Sequence, residues 1–154
     1  MNDQYRLHRL GRGDEWALGT LAKGNARFST SGDGDWVPPL SSEDAAEFAD
    51  PRTVAMVAIE SASNHLAGFV YGTVMYRRHT KLRHLCVYEI GVDTDHREHG
   101  VGMLLLERIG AEARGMGIDQ GFAFASASDR PMRAIYDNAG GQTSGSEVLY
   151  GFRF

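Results

Sequence analysis

The chain has one cysteine among its 154 residues, Cys86, so no internal disulfide can staple the fold. That is the usage of a reducing compartment, and the cytoplasm is the expected location. No apolar run approaches the roughly eighteen uninterrupted residues of a membrane span, and the polar start Met1-Asn2-Asp3-Gln4 does not read as a secretory signal. There is no basic excess either. Sixteen basic residues against twenty acidic ones give a formal charge of -4, which offers no general attraction to nucleic acid or to an anionic membrane and suits a cationic ligand better. The six histidines lack companion cysteines at metal-ligand spacing, so no metal is expected.

What remains is an ordinary globular composition, 42% hydrophobic and 23% charged, at a length that fits one domain spanning residues 1–154. Glycine is in surplus at nineteen residues, several of which punctuate the second half. Tyr5 to Leu10 alternates as a strand, Gly11-Arg12-Gly13 ends it, and Asp14 is a cap for a helix running to about Phe28. Ser29 to Leu40 reads as a long loop, followed by a short helix from Ser41 or Ser42 to Ala49 with the capping-box spacing Ser41-x-x-Asp44. Val54–Ile59 and Leu66–Tyr76 make a hairpin, and the basic stretch Arg77 to Arg83 is an exposed connection. Leu85 to Val92 is apolar on both faces except for Glu89, the pattern of a central strand. A helix follows from Gly100 to about Arg114 on Val101, Leu104, Leu105 and Ile109. Phe122–Ala125 is a short strand, Pro131 to Asn138 a helix with proline in its first turn, and Val148 to Phe154 a last aromatic strand. This order gives an α/β fold in which strand-helix-strand units follow an antiparallel meander.

The chemistry is concentrated where the best strand meets the best helix. A helix start carries unpaired N–H groups and partial positive charge, and therefore favours an anion such as a phosphate. Gly100 and Gly102 would let a pyrophosphate approach the main chain, and Arg97 adds a full charge. The spacings of the dinucleotide fingerprint and of the nucleoside triphosphate loop are both absent. His96 and His99 are further phosphate donors on an exposed loop, though backbone contacts from His99 to Met103 are the better expectation.

The stretch Ile90-Gly91-Val92-Asp93 to Arg97-Glu98-His99-Gly100-Val101-Gly102-Met103-Leu104-Leu105 resembles the acetyl-CoA motif of the GNAT superfamily of N-acetyltransferases. Asp129-Arg130-Pro131-Met132-Arg133-Ala134-Ile135-Tyr136 through Gly140 resembles its second signature. Val87-Tyr88-Glu89-Ile90-Gly91-Val92 and the Asp129 helix are most similar to the type I aminoglycoside 3-N-acetyltransferases. The resemblance implies a mixed, mostly antiparallel sheet flanked by helices, with central strands that splay apart. It implies acetyl-CoA as cosubstrate, held by Ile90, Val92, Arg97, Glu98, His99, Gly100, Val101, Gly102, Met103 and Asp129, and direct attack of an amine on the thioester.

In that scheme Glu89, a lone carboxylate in an apolar strand, is the base, and a main-chain N–H between Ile90 and Val92 polarises the carbonyl. Tyr136 occupies the position of the general acid. The aminoglycoside enzymes resemble the chain with aspartate at the Glu89 position, so the base is displaced by a methylene. The bland alternatives are a structural Glu89 paired with an arginine such as Arg83, and a Tyr136 that is simply core. The acceptor is expected to be a cationic small-molecule amine held by Asp33, Asp35, Trp36 and Glu147. An aminoglycoside is the first choice, and another small amine, a polyamine or a protein amine are the alternatives. The acidic residues of the aminoglycoside enzymes after the last strand have no counterpart in Tyr150-Gly151-Phe152-Arg153-Phe154. From another class, an acyl-CoA sensor without catalysis would share the scaffold. The aromatic last strand could pair across a two-fold axis to form a homodimer.

Overall fold

The computed structural model describes residues 3–28, 42–78, 80–143 and 150–153. The elements follow the order β1 (Tyr5–Arg9), α1 (Glu15–Lys23), α2 (Asn25–Phe28), α3 (Ser42–Ala49), β2 (Thr53–Glu60), β3 (Leu66–Arg77), β4 (Leu82–Val92), α4 (Val101–Gly115), β5 (Gly121–Ala123) and α5 (Arg130–Asn138). The five strands form one sheet in sequence order, antiparallel from β1 to β4 and parallel between β4 and β5. This is the mixed, mostly antiparallel sheet flanked by helices that the sequence predicts.

Two apolar clusters sandwich the sheet. On one face Val101, Leu105, Ile109 and Ala113 of α4, four residues apart, form a buried stripe that packs with Val54, Met56, Val70, Leu85, Val87 and Ile90. The spacing places all four on one side of the helix. On the other face Ala17, Phe28 and Phe48 from α1, α2 and α3 pack with Ala55, Val57, Ile59 and Leu66. β2 is covered on both sides, which is why its sequence is apolar almost throughout.

Three expectations change. The helix predicted from Asp14 to Phe28 breaks at Gly24, and Phe28 folds back to the glycine. The Asp14 carboxylate accepts from Gly11 N at 2.9 Å and faces His8 Nε2 at 3.1 Å, so it fastens the turn to β1. The predicted last strand is not seen at residues 150–153, which have no regular secondary structure and are exposed, while 148, 149 and 154 lie outside the described residues, as does Ser41 of the predicted capping box. Among the described residues no helix is long and apolar enough to cross a membrane.

Candidate active site

The loop entering α4 is built from two left-handed residues, Glu98 at φ 64° and Gly100 at φ 79°. Gly100 is the N-cap, has no side-chain capping bond, and would place a Cβ in open space. Here glycine is needed for the backbone angle, because an L-residue is strained in this region. The first intrahelical bond is from Leu104 N to Gly100 O at 3.0 Å, which leaves the N–H groups of Val101, Gly102 and Met103 without an intrahelical acceptor. An anion-binding helix start is therefore present, and His99 is exposed beside it.

Three residues of this region make contacts that the sequence did not predict. A Cβ on Gly102 would lie 2.7 Å from Ile135 Cδ1, so this glycine lets α4 pack closely on α5. The Arg97 guanidinium donates to Val92 O and Arg27 O, at 3.3 and 3.2 Å, bracing the loop against β4 and α2. His96 is buried, not exposed: its Nδ1 lies 3.2 Å from the Tyr5 hydroxyl, and its ring stacks on His65.

Below the loop is a clamp that the sequence did not single out. The buried Asp93 carboxylate accepts from Arg27 Nε and Nη2, both at 2.8 Å, and from Asp95 N at 2.9 Å, and it faces His65 Nε2 at 3.2 Å. Bonding to the Arg27 guanidinium, reinforced by Asp95 N and His65, holds the Asp93 carboxyl well below the usual carboxylate range. His65, Asp93 and His96 bring ligand atoms within 4.8 Å of one another. However, both Asp93 oxygens are already engaged, and the fixed Arg27 charge opposes a second cation. The donor set suits a structural clamp better than a metal.

β4 and β5 pair only from Leu85↔Gly121 to Val87↔Ala123, and beyond Val87 the β5-facing edge of β4 has no strand partner among the described residues. That is the expected splay. At the same point Tyr71 pairs with Glu89 and Gly72 with Val87, so Tyr88 is an extra residue in β4. This bulge reverses the alternation. Leu85 and Val87 face α4, and without the bulge Glu89 would join them; instead Ile90 continues the α4-side core. Glu89 stands beside Tyr71, on the face covered by α1 to α3.

Glu89 reaches solvent, yet enough protein surrounds it that desolvation raises its carboxyl above the ordinary value. Arg83, the suggested partner, donates to Met116 O at 2.7 Å, and among the described residues no cation pairs with Glu89. Tyr136 is half-buried against the α4-side core. Its phenol is raised by burial first and then by the nearby Asp129 carboxylate, so it keeps its proton at neutral pH. Asp129 caps α5, accepting from Met132 N at 3.1 Å. Asp33, Asp35, Trp36 and Glu147 lie outside the described residues.

Four further residues meet around Tyr71, the cross-strand partner of Glu89 and one of the four. Tyr71 donates its hydroxyl to Glu47 of α3, Thr53 Oγ1 donates to the same carboxylate oxygen at 3.1 Å, and the exposed Tyr88 ring meets Tyr71 edge-on at 6.5 Å. No sequence motif marks them, because they meet only through the bulge and the packing of α3.

Residues 25–140 match the family described as Acetyltransferase (GNAT) family. No curated protein matches the chain in sequence. An aminoglycoside acetyltransferase from an uncultured soil metagenomic sample, in complex with trehalose, superposes with a TM-score of 0.87 at 16% identity, covering 99% of this chain and 98% of that one. Aminoglycoside N-acetyltransferase AAC(6')-Iy in complex with CoA gives 0.74 at 10% identity, over 97% and 95%. A ribosomal-protein-alanine N-acetyltransferase from Brucella melitensis biovar Abortus 2308 gives 0.70 at 20% identity, over 97% and 99%. The likeness to the three is one of fold, and the family match together with the splay and the helix start make this chain a member of the GNAT family of acetyltransferases, whose cosubstrate is acetyl-CoA.

Proposed function

We propose that the protein transfers the acetyl group of acetyl-CoA to a primary amine of a cationic small molecule, with the 3-amine of an aminoglycoside as first candidate. The observation that carries this reading is Glu89: a carboxylate raised by desolvation, unpaired among the described residues, and turned by the bulge to the side opposite α4. An amine is protonated near neutral pH and cannot attack until a base removes its proton. A carboxylate with a raised pKa is suited to that task.

Bound acetyl-CoA supplies the acetyl group as a thioester. The N–H groups of His99 to Met103 hold the pyrophosphate at the α4 start, with Arg97 and Glu98 shaping the loop. Glu89 takes the amine proton, directly or through water. A main-chain N–H between Ile90 and Val92, on the stretch of β4 past the splay, donates to the carbonyl oxygen as charge develops there. Tyr136 gives its proton to the departing sulfur, and Asp129 fixes the helix that carries the phenol.

The test is a thiol-release assay across gentamicin-type aminoglycosides, polyamines and lysine peptides, with CoA binding followed by calorimetry. Release with an aminoglycoside, and a product acetylated at its 3-amine, is the expected outcome. Release with only another amine or a peptide would reassign the acceptor. CoA binding without release on any amine would make the protein an acyl-CoA sensor.

A further inference from the structure

Tyr71, Tyr88 and Glu47 have no part in the transfer scheme, yet they adjoin its base. Tyr71 and Glu89 are direct partners across β3 and β4, which places their Cβ atoms about 5 Å apart on one face. The Tyr71 hydroxyl is bound to Glu47, which extends the array from β4 across β3 to α3. Tyr88 is 66% exposed, and its ring, set by the bulge, meets Tyr71 edge-on with its outer face open to solvent.

The two carboxylates differ in their surroundings. Glu89 sits in the bulge with no hydrogen-bonding neighbour among the described residues, whereas Glu47 accepts from two hydroxyls, those of Tyr71 and Thr53. Arg52 donates from Nη2 to Asp50 at 2.6 Å and only adds the field of its charge at Glu47, which has no direct ion pair among the described residues. The aromatic faces beside it attract cations as well.

We infer that Glu47 is a specificity-determining residue that, with the rings of Tyr71 and Tyr88, holds a second ammonium group of a di- or polycationic acceptor while the first is placed at Glu89. The division of labour follows from proton balance. The amine to be acetylated gives up one proton to Glu89 and becomes the nucleophile; the second amine keeps its proton, and its charge is matched by Glu47. An acceptor with a single amine places no charge of its own at Glu47 and gains nothing from it. This inference rests on Glu89 being the base, and it names the substrate class as compounds carrying at least two amines within reach of both carboxylates.

The experiment compares kcat/KM for 1,4-diaminobutane and gentamicin with that for butylamine, by thiol release, in the wild-type chain and in Glu47→Gln. Glutamine keeps an acceptor for the Tyr71 and Thr53 hydroxyls and removes the charge. The expected result is a wild-type preference for the polyamines that falls about tenfold in Glu47→Gln, through KM more than kcat, the size of one hydrogen bond to a charged group. Tyr88→Ala, at an exposed ring, should raise the polyamine KM several-fold with no loss of melting temperature. A polyamine-to-butylamine ratio unchanged in both variants overturns the inference and leaves acetyl transfer intact. A wild-type chain that acetylates no amine while binding CoA overturns the function and the inference together.

Discussion

The cofactor side of the site and the acceptor side are made of different materials. At the start of α4 the proposed cofactor site offers backbone: Gly100 at φ 79° and the N–H groups of Val101 to Met103, with the side chains of Arg97 and Asp93 turned inward to hold the loop. At the bulge in β4 the proposed acceptor site offers side chains, Glu89, Tyr88, Tyr71 and Glu47, drawn from two strands and a helix. A backbone site depends on conformation and withstands many side-chain changes, whereas a side-chain site depends on the identity of each member. Substitutions should therefore affect kcat and acceptor KM on one side, and acetyl-CoA KM and stability on the other.

The largest effect is expected from Glu89→Gln. Loss of a general base lowers kcat by about 10²- to 10³-fold. The pH profile carries the sharper sign. Glu89 must be unprotonated to act, and desolvation lifts its pKa above the ordinary 4.3 or so, so the wild-type rate falls as pH drops through that raised value. Glutamine removes this acidic limb. Because a carboxylate with a raised folded-state pKa destabilises the fold where it is ionised, Glu89→Gln should melt at or above the wild-type temperature at neutral pH. A variant that keeps the wild-type profile would return Glu89 to a structural role.

Asp93→Asn probes the scaffold beneath the cofactor loop. Asparagine keeps one oxygen but gives up the charge that binds Arg27, which costs about 2 kcal/mol and lowers the melting temperature by several degrees, roughly 2–4 °C per kcal/mol for a chain of this size. The folded pKa of Asp93 is depressed, so its stabilisation is complete above the unfolded carboxylate pKa near 3.9 and is lost as pH falls below that. Wild type and variant should therefore draw together in stability as pH falls below about 3.9 toward the depressed folded value of Asp93, the gap still being present at about pH 3. A difference in melting temperature that stays constant over that fall in pH would show that the Asp93 charge contributes nothing.

These two residues also mark how far the sequence could be read. The glycines and the apolar stripe of α4 disclose the helix start, because glycine spacing and a four-residue repeat are local properties. Glu89 stands out as the lone carboxylate in its strand, but alternation points it toward α4, and only the bulge at Tyr88 shows that it faces the other way. A bulge leaves no mark in a single sequence. The partners of Asp93 and Tyr71 lie 66 and 24 residues away, at Arg27 and Glu47, a separation that no periodicity spans. The break at Gly24 illustrates the converse: a helical pattern was present, and the folding back of Phe28 overrode it.

Gly100→Ala tests the backbone site directly. The Cβ meets no atom, so the whole effect arises from holding an L-residue at φ 79°, about 1 kcal/mol. If the loop relaxes to escape that strain, the N–H groups turn and the acetyl-CoA KM rises about fivefold, the equivalent of that energy, with little change in acceptor KM. An equal rise in both would mean that the two sides are not separable.

Gly102→Ala should have the smallest effect, although its spacing first suggests the opposite. If this glycine admitted a pyrophosphate, a methyl group there would block the cofactor and abolish activity. The nearest atom to that methyl is Ile135 Cδ1, at 2.7 Å, the mobile end of a side chain on α5, whereas Val92 Cγ2 is 3.5 Å away in ordinary contact. A rotamer change at Ile135 can absorb the clash for about 1 kcal/mol, offset in part by the better helix propensity of alanine. The consequence passes through α5 to Tyr136, one residue beyond Ile135. Any loss should therefore appear in kcat and leave acetyl-CoA KM near wild type, so a KM that rises tenfold with kcat preserved would restore Gly102 to the phosphate site.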